Sequence, residues 1–243
     1  MKVGIMMCAW KEARMIVPAI RQFDNVIDDL KIDEIIVACS SKPWNGEGDP
    51  DNTAELAAKA GATVRLHDWK DEKDQKNWIM DKFKDKDWVL MFAPDMYMTT
   101  ESLNNLLYYL KSADNRAYAC DMVTYWKDFD HIVAPVTKFN SVAIRNNERF
   151  KYSSQIDNVE NFDGIPGVLM HHLSYVRTPE EMETKIKTWS HAPEISKDWY
   201  SKWLNWKEGD TNLGMVNEKD VQKVIKYPLP EEIRSLICKY STV

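Results

Sequence analysis

The sequence predicts an α/β domain in which a mainly parallel, doubly wound sheet is flanked by helices, and three observations predict it. Short strand-like runs recur at 3–8, 34–39, 62–66 and 88–92, the first of them apolar without alternation; helically spaced segments lie between them; and Gly, Pro and polar clusters punctuate the joints. An apolar run that does not alternate is how a strand covered on both faces reads. The 243 residues suffice for one such domain.

Taken in order, the run at 3–8 is followed by Ile16, Ala19, Ile20 and Phe23 at helical spacing, which makes a strand-loop-helix unit. The second strand, at 34–39, runs into Ser40-Ser41-Lys42-Pro43-Trp44-Asn45-Gly46, a breaker cluster that must be loop. An Ala-rich helix at 53–60 ends at Gly61, a good residue just past a helix, and 62–66 resumes as strand. A polar helix at 71–83 carries Trp78, Ile79 and Phe83 on its inner stripe, and a strand at 88–92 enters an Ala93-Pro94-Asp95 corner. In an open sheet of this kind the ligand sits beyond the carboxyl ends of the strands, so the site is expected in the loops after Cys8, Cys39, Leu66 and Phe92.

The second half is less regular. A helix at 103–110, strand-like stretches at 118–126 and 141–144, and a Gly/Asp/Asn-rich segment at 155–167 are expected, the last as a candidate acceptor loop. A final strand at 169–176 leads into Thr178-Pro179-Glu180-Glu181, a capping box with Pro at the first helical position. Residues 1–192 read as the domain, and 193–243, rich in Trp and Lys with weak periodicity, as an extension wrapped on it.

A net charge of −6 provides no global footprint for nucleic acid or an anionic membrane, although a local basic groove at 197–207 stays open. The apolar start is too short for a signal segment or a membrane span. Cys8, Cys39, Cys120 and Cys238 are far apart without Cys-x-x-Cys spacing, which reads as reduced thiols and a cytoplasmic setting, in a bacterium or a virus-infected cell. The ten tryptophans fit bulky core first and ligand platforms second.

Three blocks carry chemistry. Asp87-Trp88-Val89-Leu90-Met91-Phe92-Ala93-Pro94-Asp95-Met96 resembles the strand and Asp-x-Asp-Glu corner of family 2 glycosyltransferases, which have the GT-A fold. Asp95 matches the second Asp, which in the family holds the metal bridging the donor's phosphates; Ala93 stands in place of the first Asp and Met96 in place of the Glu. His171-His172-Leu173-Ser174-Tyr175-Val176-Arg177, followed by Glu180-Glu181-Met182, Lys185-Ile186 and Trp189-Ser190-His191, is similar to the run near the end of many bacterial and viral members. The resemblance implies that a histidine completes the metal shell. His172 is the choice, since it precedes Leu-Ser-Tyr and alternation points His171 the other way. Arg177, Lys185 and His191 become candidate phosphate contacts.

The third block, Trp69 through Gln75-Lys76-Asn77, is similar to the family's Trp-x5-Gln-Arg-Asn with Lys76 in place of Arg, and implies donor contacts from Gln75 and Asn77. After the first strand, Ala9, Trp10 and Glu12 hold the family's nucleotide-contacting positions, Ser40 and Ser41 those of the second loop, and Pro94 lies at the metal corner.

What the resemblance implies is a metal-assisted, inverting transferase that uses a nucleotide-diphosphate sugar, UDP most commonly, with Mn²⁺ or Mg²⁺. A hard cation would stabilise the diphosphate leaving group. Inversion also needs a carboxylate base at the acceptor hydroxyl; Asp157 and Glu160 are preferred over Asp163, Asp128 and Asp130. Asp95→Asn is expected to leave the thermal transition almost unchanged. The acceptor stays open among a glycan, a protein, a small metabolite and a hydroxylated DNA base. Two rivals remain: a catalytically degenerate sugar-nucleotide-binding module, favoured by Ala93, and a nucleotidyltransferase, disfavoured because residues 8–14 contain no glycine for a phosphate loop.

Overall fold

A computed structural model of the chain describes residues 1–26, 32–152, 155–211, 213 and 222–241. Strand β1 (Val3–Ala9) is the centre of the first half, pairing in parallel with β2 (Glu34–Ser40) on one edge and with β4 (Trp88–Met91) on the other. β3 (Thr63–His67) extends this parallel array beyond β2. Helices α1 (Ala13–Arg21), α2 (Thr53–Lys59) and α3 (Glu72–Lys82) are the crossovers. α1 buries Met15, Ile16, Ala19 and Ile20 on one face, the 3.6-residue stripe read from the sequence. Gly4 is required where β1 meets α3, because a Cβ there would come within 2.8 Å of the Phe83 ring.

β4 leads through residues 92–95 to β5 (Met96–Tyr97) and then α4 (Thr100–Leu110), whose cap Thr99 accepts from Ser102 N–H. The rest of the sheet is antiparallel where it joins the first half: β7 (His131–Arg145) pairs with β4 in reverse, β6 (Ala117–Trp126) pairs with β7, and β8 (Asp163–Tyr175) runs parallel to β6. The order is β3-β2-β1-β4-β7-β6-β8-β5, with β9 (Lys223–Lys226) antiparallel to the start of β7 at His131–Ala134, away from the Ala143–Arg145 stretch that pairs with β4. The expected α/β class therefore holds, on a sheet that is mixed: parallel through β4 and antiparallel where β7 joins it. β7 is much longer than the expected 141–144, and β8 begins inside the stretch expected to be irregular, because the exposed residues at 135–138, and those on either side of the buried Ile165, hide the strand pattern.

α5 (Pro179–Thr188) starts at the capping box read from the sequence: Thr178 accepts from Glu181 N–H, and the Glu181 carboxylate accepts from Thr178 N–H. Beyond it, α6 (Trp199–Leu204) and Leu213 form a second apolar cluster with Trp126, Val133 and Met182. α7 (Glu231–Tyr240) returns to α1 and buries Ile233 and Ile237 in the main core. Cys39 and Cys120 are buried, and Cys8 is half-buried with its thiol pushed up to about 12 by burial, which leaves it an unreactive thiol. Among the described residues no helix is long and apolar enough to cross a membrane.

Candidate active site

A cavity of about 870 Å³ opens beyond the carboxyl ends of β1 and β4. Its walls come from the loops after β1 (Trp10, Glu12), β2 (Trp44, Asp51) and β4 (Pro94, Asp95), from α3 (Glu72, Lys76), and from the end of β8 with α5. This is where the topology of an open α/β sheet puts a ligand.

Asp95 is the most buried acid of the cavity, 4% exposed. Its position follows from strand pairing. β5 lies antiparallel to β8 with Met96 opposite His172, and Leu173 N–H donates to the Asp95 carbonyl at 2.8 Å. The carboxylate is thereby presented to the residues that follow β8. Oδ2 accepts from Arg177 Nη2 at 3.0 Å and from Lys185 Nζ at 2.9 Å, while Oδ1 faces His172 Nε2 at 3.6 Å. Burial works against the charge on Asp95, but Lys185, His172 and Arg177 outweigh it and hold the carboxyl well below its ordinary range.

Each cation has a second anchor. Arg177 Nη2 also donates to Glu12 Oε1 at 2.6 Å, and Arg177 Nε to the Ser174 carbonyl at 3.1 Å. Lys185 Nζ donates to Ser174 Oγ at 2.7 Å. Burial raises the Glu12 carboxyl, which Arg177 only partly offsets, and Glu12 Oε2 is buried without a hydrogen-bond partner. Burial and the neighbouring Arg177 lower the Lys185 ammonium. Arg14 forks onto both oxygens of Glu181 at 3.1 Å and onto the Val176 carbonyl at 2.7 Å, which ties α1 to the start of α5.

The two adjacent histidines part as alternation requires. His172 lines the cavity; His171 is buried on the other face against the Tyr125 hydroxyl at 3.1 Å, its imidazole pushed down to about 4 by burial. Trp10, Glu12, Pro94, Asp95, His172, Arg177, Lys185 and His191 all line the cavity. Ala9, Ser40, Gln75 and Asn77 do not. Gln75 is buried and donates to the Ala38 carbonyl, and Asn77 exchanges two hydrogen bonds with the Phe150 backbone, so both hold α3 in place.

Asp157 and Glu160, preferred above as the base, are exposed and absent from the cavity wall. Arg116 grips the carbonyls of Asp157 and Asn158, and the next strand begins with Asp163 beside Tyr118. These residues lie by the amino end of β4, where Ala117 pairs with Ile144 and Trp88 with Arg145, the end opposite Asp95. Several wall residues escape the sequence reading. Arg14 lacks a motif of its own, Glu181 reads as a cap and as part of the family-like run but not as a partner of Arg14, Glu72 hides in a polar helix start, and Trp44 sits in a breaker loop with no periodicity.

The donor set of Asp95 Oδ1 and His172 Nε2, a carboxylate oxygen and an imidazole nitrogen, fits a small divalent cation. Among the described residues no group of three or more His, Cys, Asp and Glu gathers to hold a metal, so such an ion would take its remaining ligands from phosphate and water.

No protein-family model matches the chain, and no curated protein matches it. Among solved structures it is similar to glucosyl-3-phosphoglycerate synthase from Mycobacterium tuberculosis in complex with Mg²⁺ and UDP, with 18% identity and a TM-score of 0.37 over 51% of this chain and 43% of that one. The same enzyme with Mn²⁺ and UDP-glucose matches with 18% identity and a TM-score of 0.39, over 51% and 44%. A structure described as a mycobacterial protein matches with 18% identity and a TM-score of 0.37, over 52% and 42%. The chain spans less than half the length of each of these proteins.

Proposed function

We propose that the chain is a glycosyltransferase that moves a sugar from a nucleotide-diphosphate sugar, with uridine the favoured nucleoside, to an acceptor hydroxyl with inversion. The observation that carries this reading is the meeting of Asp95, His172, Arg177 and Lys185 at one wall of a cavity of about 870 Å³, of the size range in which small ligands bind. A divalent cation held by Asp95 and His172 would act as a Lewis acid on the diphosphate. Arg177 and Lys185 reach the same space and offset the charge that develops on the leaving group. Glu12 and Ser174 hold these two cations in place, and the Arg14–Glu181 fork fixes the start of the helix that carries Lys185.

Acceptor activation would come from a wall carboxylate. Glu12, Asp95 and Glu181 are engaged by arginine or lysine, and Asp51 accepts from Ala13 N–H and from Thr53. Glu72 is likewise engaged, by Lys76 at 2.6 Å, which leaves Glu180 as the candidate. The engagement of so many carboxylates favours one rival reading, a module that binds the sugar nucleotide without transferring it. Release of UDP from UDP-sugars in Mn²⁺ discriminates: steady turnover, faster with a glycan, protein or hydroxymethylated-DNA acceptor, supports the transferase, and tight binding without release supports the module.

A further inference from the structure

We propose that Lys185 is a built-in stand-in for the divalent cation, so that diphosphate and metal bind in an obligatorily cooperative way: the diphosphate draws Lys185 off Asp95, and only then does Asp95 become a metal ligand. This rests on the nucleotide-diphosphate reading given above and specifies how that site is regulated.

The two cations on Asp95 Oδ2 are not equivalent. Arg177 is shared with a second carboxylate, Glu12 Oε1 at 2.6 Å, and is tethered by its Nε to the Ser174 carbonyl at 3.1 Å, so it has reason to stay when Asp95 changes partner. Among the described residues Lys185 touches no other acid: its remaining partners are the neutral Ser174 hydroxyl at 2.7 Å and carbonyl at 3.4 Å, and the Trp189 ring at 5.5 Å. An ammonium on a flexible four-carbon stem moves more readily than a forked guanidinium. Lys185 also lines the cavity, so a diphosphate there offers it a stronger anionic partner than the one it leaves.

While Lys185 and Arg177 both hold Oδ2, with Glu12 already paired to Arg177, a divalent ion at Oδ1 and His172 would meet an Asp95 carboxylate whose charge the two cations have taken up, and would be repelled by Lys185 beside it. The metal alone is therefore disfavoured. Once phosphate oxygens take Lys185, the repulsion falls and those same oxygens complete the metal's shell. Linkage makes the effect reciprocal: whatever factor UDP adds to Mn²⁺ affinity, Mn²⁺ adds to UDP affinity.

The test is Mn²⁺ binding followed by the electron paramagnetic resonance signal of the free ion, without and with saturating UDP, on the whole chain as wild type, Lys185→Met and Lys185→Arg. The expected result is a wild type whose Mn²⁺ affinity rises at least tenfold with UDP. Lys185→Met should bind Mn²⁺ alone several-fold tighter than wild type and gain little from UDP, and Lys185→Arg should keep the wild-type coupling. Mn²⁺ and UDP binding independently in the wild type, a result that needs no variant to fold, would overturn the proposal, as would a Lys185→Met chain that binds Mn²⁺ alone no better than wild type. These outcomes leave the nucleotide-diphosphate reading standing, since UDP is still bound; a wild type that binds neither UDP nor Mn²⁺ removes both.

Discussion

His172 Nε2 lies 3.6 Å from Asp95 Oδ1 because the short strand carrying Met96 pairs with His172 itself across the sheet edge. A two-residue strand thus does what two distant stretches of sequence could not do alone, and it holds an acid and an imidazole on one cavity wall. His172→Ala should cut metal-dependent UDP affinity by at least the roughly 10–100-fold seen when a metal site loses an outer partner. His171→Ala should not, because His171 faces Tyr125. Calorimetric titration of both variants checks this, and equal losses would show that His172 is not the ligand.

Asp95→Asn should destabilise the fold by up to about 3–5 kcal/mol, the scale of removing one partner from a buried ion pair. The sequence alone predicts an almost unchanged thermal transition, since it reads Asp95 as a metal ligand; Arg177 and Lys185 on Oδ2 are what change the expectation. Urea unfolding at pH 7 measures it, with UDP binding followed where the variant is fully folded.

Stability in acid should fall in two stages. His171 is lowered from 6.5 to about 4, so the fold prefers its neutral form; its contribution is complete above 6.5 and is lost as pH falls toward 4, on the order of 3 kcal/mol. The depressed Asp95 carboxyl contributes above its ordinary 3.8, and that contribution is lost only as pH falls below it. The raised Glu12 works in the opposite sense, contributing most at low pH. Unfolding of His171→Gln between pH 7 and 4 should lack the first stage, and a slope equal to wild type would contradict the assignment.

Much of this fold is legible because the central strands of its first half obey one rule: strands buried on both faces read as unbroken apolar runs, and Val3–Ala9 and Trp88–Met91 are fully or nearly fully buried, whereas the edge strand Thr63–His67 is largely exposed. The second half is not, since β7 and β8 carry exposed residues in mid-strand and pair across long sequence separations. At the site, Asp95, His172, Arg177 and Lys185 are legible through a resemblance in order and spacing. Arg14 and the cation pair on Asp95 are not, because ion pairing between residues up to 167 apart leaves no local pattern. Asp157 and Glu160 show the converse: a loop rich in acids reads as functional until Arg116 is seen holding it at the far end of β4.

Asp157→Asn and Glu160→Gln should accordingly leave UDP-sugar turnover at the wild-type rate. A steady-state assay of each decides it, and a large loss in either would place the acceptor base at that end of the sheet.

Gly46→Ala should loosen the loop over the cavity mouth. Gly46 has φ +68°, and a Cβ there would come within 3.1 Å of the Lys187 carbonyl, next to the bond from Asn45 Nδ2 to the Trp189 carbonyl at 2.6 Å. A loss of about 1 kcal/mol or more follows from forcing a side chain into that conformation. Thermal unfolding with and without UDP checks it.

The central claim is tested most directly by calorimetric titration of the chain with a panel of nucleoside diphosphates, each with and without Mn²⁺. The account predicts that one of them, UDP first, binds and that Mn²⁺ strengthens the binding in the wild type but not in Asp95→Asn. No binding by any nucleoside diphosphate in either condition would contradict it.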